Sequence, residues 1–161
     1  GETIDIAIST LGTTIRQAGS WNAFRAVDVT AVLGFAEAAR AAGARQILSV
    51  SSVGANASAR NKYLAMKGSA EDGLSAIGFD RLDIVRPGLL RGDRAGDRRL
   101  GERIGSAISP VANLMLRGPL DRFAAIDADR VAAAMAALVG TEGGGRHVHF
   151  NRDLRRLAGS H

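Results

Sequence analysis

The stretch from Gln46 to Lys67, QILSVSSVGANASARNKYLAMK, contains the features that decide the fold. Its first part, Gln46 to Ser51, is a short apolar run with β-branched residues, and the Gly, Asn and Ser residues after it are typical of a loop. A helix is predicted to begin near Ala59. The stretch therefore predicts a buried strand, a loop and a helix, which is the repeating unit of an α/β sheet.

This unit brings together side chains that can move a proton. Residues four apart lie on the same face of a helix, so Tyr63 and Lys67 present a phenol and an ammonium side by side. Ser51 and Ser52 lie at the carboxyl end of the strand, where open α/β sheets bind their ligands. The ammonium favours the phenolate form of the tyrosine, and a serine hydroxyl can hold a substrate oxygen. The arrangement predicts an acid/base site.

Composition favours a functional interpretation of Lys67, although Tyr and Lys occur at this spacing by chance in many helices. The chain has a single Tyr, and of its 21 basic residues only Lys62 and Lys67 are lysines, which leaves 19 arginines. A compact ammonium one turn after the only tyrosine differs from this general use of arginine. A planar guanidinium would substitute poorly at such a position.

Three segments resemble the short-chain dehydrogenase/reductase superfamily, in which a strand ends in Ser and the next helix carries Tyr-x-x-x-Lys. The resemblance is greatest to its atypical branch of TIP30/CC3-like oxidoreductases, which is related to nucleoside-diphosphate-sugar epimerases. It implies that Tyr63 is the catalytic acid/base, that Lys67 also holds the nicotinamide ribose, and that Ser52 orients the substrate. Ser51 is the alternative, because a serine pair leaves the register ambiguous by one. The segments are LGTTIRQAGSWNAFRAVD, SVSSVGANASARNKYLAMKGSAED and FDRLDIVRPGLLRGDR.

The rest of the chain alternates strands with helices. This alternation predicts four parallel strands in a doubly wound, Rossmann-like α/β sheet, as a single partial domain spanning residues 1–161. The further strands are predicted at Ile4 to Thr10, Leu82 to Val85 and His147 to Phe150, and the further helices at Ser20 to Gly43 and Ala125 to Val139. Residues 91 to 117 are expected to cover the substrate.

Two loops after predicted strands are candidates for cofactor contacts. Both contain glycine, which permits close approach of the backbone to a ligand, and the second also contains proline. An ordinary turn is the alternative for each loop. The resemblance implies a nicotinamide cofactor, NADP(H) rather than NAD(H), contacted by Leu11, Gly12, Thr13, Ser51, Tyr63, Lys67, Pro87, Gly88 and Leu89.

The glycine-rich turn that normally opens a dinucleotide-binding fold is absent from the sequence. We therefore expect that the N-terminal cofactor-binding half is missing. The strand at Ile4 to Thr10 should then pair with an upstream segment of roughly 50 to 60 residues, because an open apolar strand edge invites aggregation. Two functions therefore stay open. Ser52, Tyr63 and Lys67 together favour an NAD(P)-dependent oxidoreductase acting on a carbonyl or alcohol. A missing cofactor-binding half would favour the alternative, a non-catalytic NADP(H)-binding regulatory or scaffold protein on the same fold.

Composition limits the cellular location and the kinds of partner that we expect for the chain. The chain is 46% hydrophobic and 23% charged, with no cysteine, and it lacks any apolar run long enough for a membrane span. We predict a cytoplasmic, bacterial-like protein with a small-molecule substrate, with no membrane partner, and with a homodimer left open. The net charge of +5 comes with scattered arginines and only 4% aromatic residues, which disfavours nucleic-acid binding. His147 and His149 lack a third ligand, so no metal site is predicted.

Overall fold

The fold is seen in a computed structural model, which describes residues 4–91 and 118–159. In chain order its elements are β1 (Ile6–Ser9), α1 (Ile15–Ala18), α2 (Trp21–Arg25), a π-helical segment (Ala26–Ala31), α3 (Val32–Ala41), β2 (Gln46–Val50), α4 (Lys62–Ile77), β3 (Arg81–Val85), β4 (Leu89–Arg91), a 3-10 helix (Gly118–Phe123), β5 (Ala125–Asp127), α5 (Ala128–Leu138), β6 (Gly145–His149) and α6 (Asn151–Ala158).

Four of these strands form one parallel sheet in the order β1-β2-β3-β6. Parallel neighbours require crossover connections, and helices supply these between β1 and β2 and between β2 and β3. The predicted four parallel strands and the doubly wound α/β class are confirmed. A second sheet, which the sequence did not predict, pairs β4 with β5 in parallel.

Helices cover both faces of the main sheet. On the first face, α3 and α4 pack over Ile47, Leu82 and Ile84. On the second face, α5 and α6 pack over Leu48 and Val85. Successive strand residues point to opposite faces, so β2 and β3 contribute apolar side chains to both cores. Their near-continuous apolar sequences follow from burial on both sides.

The helix ends agree with the sequence in most places. Ser20 caps α2 by accepting a hydrogen bond from the Ala23 amide, as predicted. The next predicted helix begins at Lys62 with Asn61 as its cap, later than the expected Ala59, because Ala59 lies in a turn. The prediction of a helix from Ala125 was wrong for its first three residues, which form β5 and pair with β4.

β1 lies at an edge of the sheet. Its backbone pairs with β2 on one side. The side chain of Ile8, which lies on the second face of the sheet, is 46% exposed. The predicted upstream partner for this edge stays a prediction.

Residues 92–117, which include most of the segment expected to cover the substrate, lie outside the described residues. Within the described ranges, no helix is both long and apolar enough to cross a membrane.

Candidate functional site

Tyr63 and Lys67 lie on one face of α4, as their spacing predicts. The Lys67 ammonium is 6.0 Å from the centre of the Tyr63 ring, and the lysine is 8% exposed. Its Nζ lies 2.6 Å from Oδ1 of Asp28, a carboxylate that is fully buried. Burying a charged group is costly unless an opposite charge lies beside it, and Asp28 provides that charge here. In the part of the chain that the structure describes, the Tyr63 hydroxyl has no hydrogen-bond partner, so it is available to a ligand.

Asp28 lies in the π-helical segment Ala26–Ala31. A π-helical turn within an α-helix re-aims its side chains and occurs frequently at functional sites. Here it directs Asp28 at two elements of the site, because Oδ2 also accepts a hydrogen bond of 2.8 Å from the Thr13 amide. The carboxylate therefore links the loop after β1 to the ammonium on α4. Asp28 lies within the helix predicted at Ser20 to Gly43, but no sequence pattern indicated the π-helical turn.

The loop at Leu11, Gly12 and Thr13 approaches this ion pair closely. A Cβ atom added at Gly12 would lie 3.3 Å from Asp28 Oδ1 and 3.5 Å from Lys67 Nζ. A side chain at this position would fill the space between the loop and the ion pair. Leu11 is 42% exposed and free to contact a ligand. The structure thus brings two of the predicted groups, this loop and Lys67, to one place.

The two serines of the pair have different surroundings. The Ser51 hydroxyl donates a hydrogen bond of 2.5 Å to Oε1 of Glu71, a carboxylate that is almost completely buried. Within residues 4–91 and 118–159, the Ser52 hydroxyl has one polar contact, a long one of 3.4 Å with the carbonyl of Val53, the next residue. Ser52 is therefore the serine whose hydroxyl remains available, whereas Ser51 is held within the protein.

The loop at Pro87, Gly88 and Leu89 contacts the serine loop, which consists of Ser51, Ser52 and Val53. The Val53 amide donates to the Pro87 carbonyl at 3.2 Å, and the Ser51 amide donates to the Val85 carbonyl at 2.7 Å. The candidate residues after β2 and after β3 therefore share one edge of the sheet, at the carboxyl ends of the strands. Ligands bind at this edge in open α/β sheets.

Asn151 holds the other side of that loop. It is fully buried, and its Oδ1 accepts a hydrogen bond of 2.9 Å from the Gly88 amide. Its Nδ2 donates to the carbonyls of Asp121 and Ala124. Gly88 is required at this point, because an added Cβ would lie 2.2 Å from the Ala124 carbonyl oxygen. Sequence reasoning missed both Asn151 and Glu71, since an isolated Asn or Glu has no motif of its own.

A second cluster of buried charge lies away from these loops, on the second face of the sheet. Asp83 accepts hydrogen bonds from both Arg81 Nε and Nη2, from Gln46 and from His149. Burial alone would raise the pKa of Asp83, but hydrogen bonds from His149, Arg81 and Gln46 and the Arg81 charge outweigh it and lower this pKa to about 2. His149, one of the two strand histidines, thus contributes to a structural network.

The fold and the site define a class of protein, a Rossmann-like α/β chain with polar side chains and glycine-containing loops at the carboxyl ends of its strands. The structure of RMD from Pseudomonas aeruginosa complexed with NADPH matches with a TM-score of 0.64 and 20% identity, over 98% of this chain and 65% of that one. UDP-glucuronic acid 4-epimerase from Bacillus cereus in complex with NAD matches with a TM-score of 0.63 and 13% identity, over 91% of this chain and 53% of that one. At these identities the likeness shows the fold.

Similar sequences occur among fungal proteins. "Protein FMP52, mitochondrial" of Candida albicans is 37% identical over 133 residues, which is 82% of this chain and 58% of the relative. The protein of the same name in Coccidioides immitis is 36% identical over 161 aligned residues, which is 95% of this chain and 65% of the relative. The chain therefore spans 58% and 65% of the lengths of these two relatives. No family model matches the chain.

These relatives correct two predictions. The expected cytoplasmic location was wrong, because the names of the similar fungal proteins place them in the mitochondrion. The bacterial-like character was wrong as well, because these relatives come from fungi. The lack of cysteine bears on disulfide formation and not on a cellular address, and a bias toward arginine, alanine and glycine does not identify a source.

Proposed function

We propose that this chain forms the acid/base part of a nicotinamide-dependent oxidoreductase that acts on a carbonyl or alcohol substrate. The observation that supports the proposal is the Tyr63–Lys67 pair on α4, against which the Gly12 loop lies. The residues that carry the serine pair contact the loop at Pro87 at the carboxyl ends of the neighbouring strands. The fold is one in which solved structures hold NADPH or NAD. A tyrosine hydroxyl that has no partner among the described residues, beside a buried ammonium, is suited to proton transfer.

The residues present fit a bound nicotinamide cofactor. Lys67 has three donors, and its contact with Asp28 Oδ1 uses one of them, so donors remain for ribose hydroxyls. Gly12 leaves the space beside this ion pair open. The residues that would hold the cofactor are Leu11, Gly12, Thr13, Ser51, Tyr63, Lys67, Pro87, Gly88 and Leu89. A bound cofactor would supply or accept the hydride.

The chain's own side chains would handle the proton and the substrate oxygen. Tyr63 would exchange its phenolic proton with that oxygen, and Ser52 would hold the oxygen by a hydrogen bond. The Lys67 charge would stabilise the phenolate that forms, and Asp28 would keep the ammonium in place. Phe24, whose ring centre is 5.6 Å from that of Tyr63, restricts the orientation of the tyrosine ring.

Several finer features remain part of this proposal. NADP(H) is proposed over NAD(H), and the TIP30-like branch of the short-chain dehydrogenase/reductase superfamily is proposed as the nearest group of enzymes. A small-molecule substrate is proposed as the partner, without nucleic acid or a membrane, and a homodimer stays an open alternative. The mitochondrial names of its fungal relatives support a role in that compartment.

Replacement of the tyrosine tests the proposal. Tyr63→Phe removes only the phenolic hydroxyl, so the full-length variant should stay folded and bind NADPH while its turnover falls by at least about 10²-fold. The assay needs a panel of aldehydes, ketones and alcohols, with oxidation of NADPH or reduction of NADP as the readout. Near-normal turnover of a substrate by the variant would refute the role of Tyr63. Cofactor binding without turnover of any substrate by the wild-type protein would favour a regulatory role instead.

A further inference from the structure

Glu71 is the centre of a buried ionic cluster behind the candidate site. It lies one turn after Lys67 on the same face of α4 and is 2% exposed. Arg86 binds it through Nε at 2.9 Å and through Nη2 at 2.5 Å. Arg146 Nη2 contacts the same carboxylate at 3.0 Å, and the Ser51 hydroxyl does so at 2.5 Å. One carboxylate therefore accepts four hydrogen bonds.

These contacts come from three separate parts of the sheet. Ser51 follows β2, Arg86 directly follows β3 and precedes Pro87, and Arg146 lies in β6. The carboxylate thus ties the serine loop and the Pro87–Leu89 loop to the helix that carries Tyr63 and Lys67. A bidentate guanidinium fixes orientation as well as distance. Phe150 adds to this, with its ring centre 5.9 Å from the Arg86 guanidinium carbon.

We infer that Glu71 is a positioning residue for the site. It fixes the distance between the helix that carries the acid/base pair and the two loops beside that helix. It also holds Ser51, so that Ser52 is the serine that faces the substrate. This inference rests on the proposed function for its cofactor and substrate. The juxtaposition of the two loops is a property of the protein itself and can be measured without either.

Glu71→Gln in the full-length protein tests the inference. Glutamine keeps the size of the side chain but replaces one carboxylate oxygen by an amide that cannot accept from Arg86. Asp83→Asn is the matched control, because Asp83 is also a buried carboxylate paired with arginine but lies on the other face of the sheet. Both variants should lower the melting temperature. Only Glu71→Gln should weaken NADPH binding, by about tenfold or more, which corresponds to the loss of one well-placed interaction.

Hydrogen exchange supplies a readout that needs no cofactor. The Val53 amide donates to Pro87 and the Gly88 amide to Asn151, so both report on the two loops. In Glu71→Gln these two amides should exchange about tenfold faster or more, whereas in Asp83→Asn they should exchange at the wild-type rate. Should Glu71→Gln fail to fold, Arg86→Lys keeps the charge but loses the bidentate geometry, and the same two changes are expected in smaller measure.

The outcomes separate the inference from the proposed function. The positioning role would be overturned if Glu71→Gln showed wild-type exchange at Val53 and Gly88 together with unchanged NADPH affinity. If Glu71→Gln does not fold, the same two results in Arg86→Lys would overturn it. Equal changes in Asp83→Asn would overturn it as well, because they would reflect stability alone. If the wild-type protein binds neither NADPH nor NADH, the proposed function fails, and the exchange rates alone still decide whether Glu71 positions the two loops.

Discussion

The Asp83 network makes a quantitative prediction about stability and pH. Its carboxyl group has a pKa of about 2 in the folded chain, against an ordinary value of 3.8. A difference of about 1.8 units, at about 1.36 kcal/mol per unit, amounts to ~2.4 kcal/mol of stabilisation. Because the folded pKa is depressed, this stabilisation is fully present above about pH 4 and is lost as the pH falls toward about 2. Asp83→Asn should lower the free energy of unfolding at neutral pH by at least that order.

Urea unfolding of the wild-type protein and of Asp83→Asn, followed from about pH 7 to about pH 3, checks this prediction. The difference between the two free energies should be constant above about pH 5 and should shrink below about pH 4. Asp80→Asn serves as the control, because Asp80 pairs with Arg45 at the surface and its loss should matter much less. A difference that stays the same across this pH range would refute the assignment of the depressed pKa to Asp83.

Three further predictions concern the site. Lys67→Arg should lower the affinity for NADPH by at least about tenfold although it keeps the charge, because a planar guanidinium cannot replace the ammonium between Asp28 and the ribose. Binding titrations check this, and unchanged affinity would make Lys67 an ordinary structural cation. Gly88→Ala should lower the free energy of unfolding, measured in urea, by about 1–3 kcal/mol, because its Cβ would lie 2.2 Å from the Ala124 carbonyl oxygen. An unchanged free energy would show that the loop shifts to make room. Ser52→Ala should reduce kcat by at least about tenfold and by more than Ser51→Ala does, and the reverse order would place Ser51 against the substrate.

Much of the fold could be predicted from the sequence because burial on both faces leaves a pattern that can be read directly. Gln46–Val50 and Arg81–Val85 lie close to where apolar runs of strand length predicted them. The start of α4 was placed too early, because Asn61 takes the role of cap by accepting from the Leu64 amide. β5 was missed because Ala125–Asp127 continues the apolar pattern of the helix after it, and only its pairing with β4 makes it a strand.

The candidate site was predictable in part for a similar reason. Tyr63 and Lys67 follow from helical spacing, which is local. Glu71 and Asn151 contact residues 15 to 75 and 27 to 63 positions away, respectively, and no local pattern indicates such partners. The division of roles between Ser51 and Ser52 depends on Glu71, so the sequence left it ambiguous by one residue.

The nicotinamide site proposed at Lys67 and its surrounding loops can be tested directly. The most direct measurement is a fluorescence titration of NADPH with the full-length wild-type protein and with Lys67→Ala, using Lys62→Ala as the control. Lys62 is exposed, lies five residues before Lys67, and has its Nζ 5.9 Å from the centre of the Trp21 ring. We predict saturable binding by the wild-type protein and by Lys62→Ala, weakened by at least about tenfold in Lys67→Ala. Absence of saturable binding by the wild-type protein, or equal affinity in both lysine variants, would contradict the proposal.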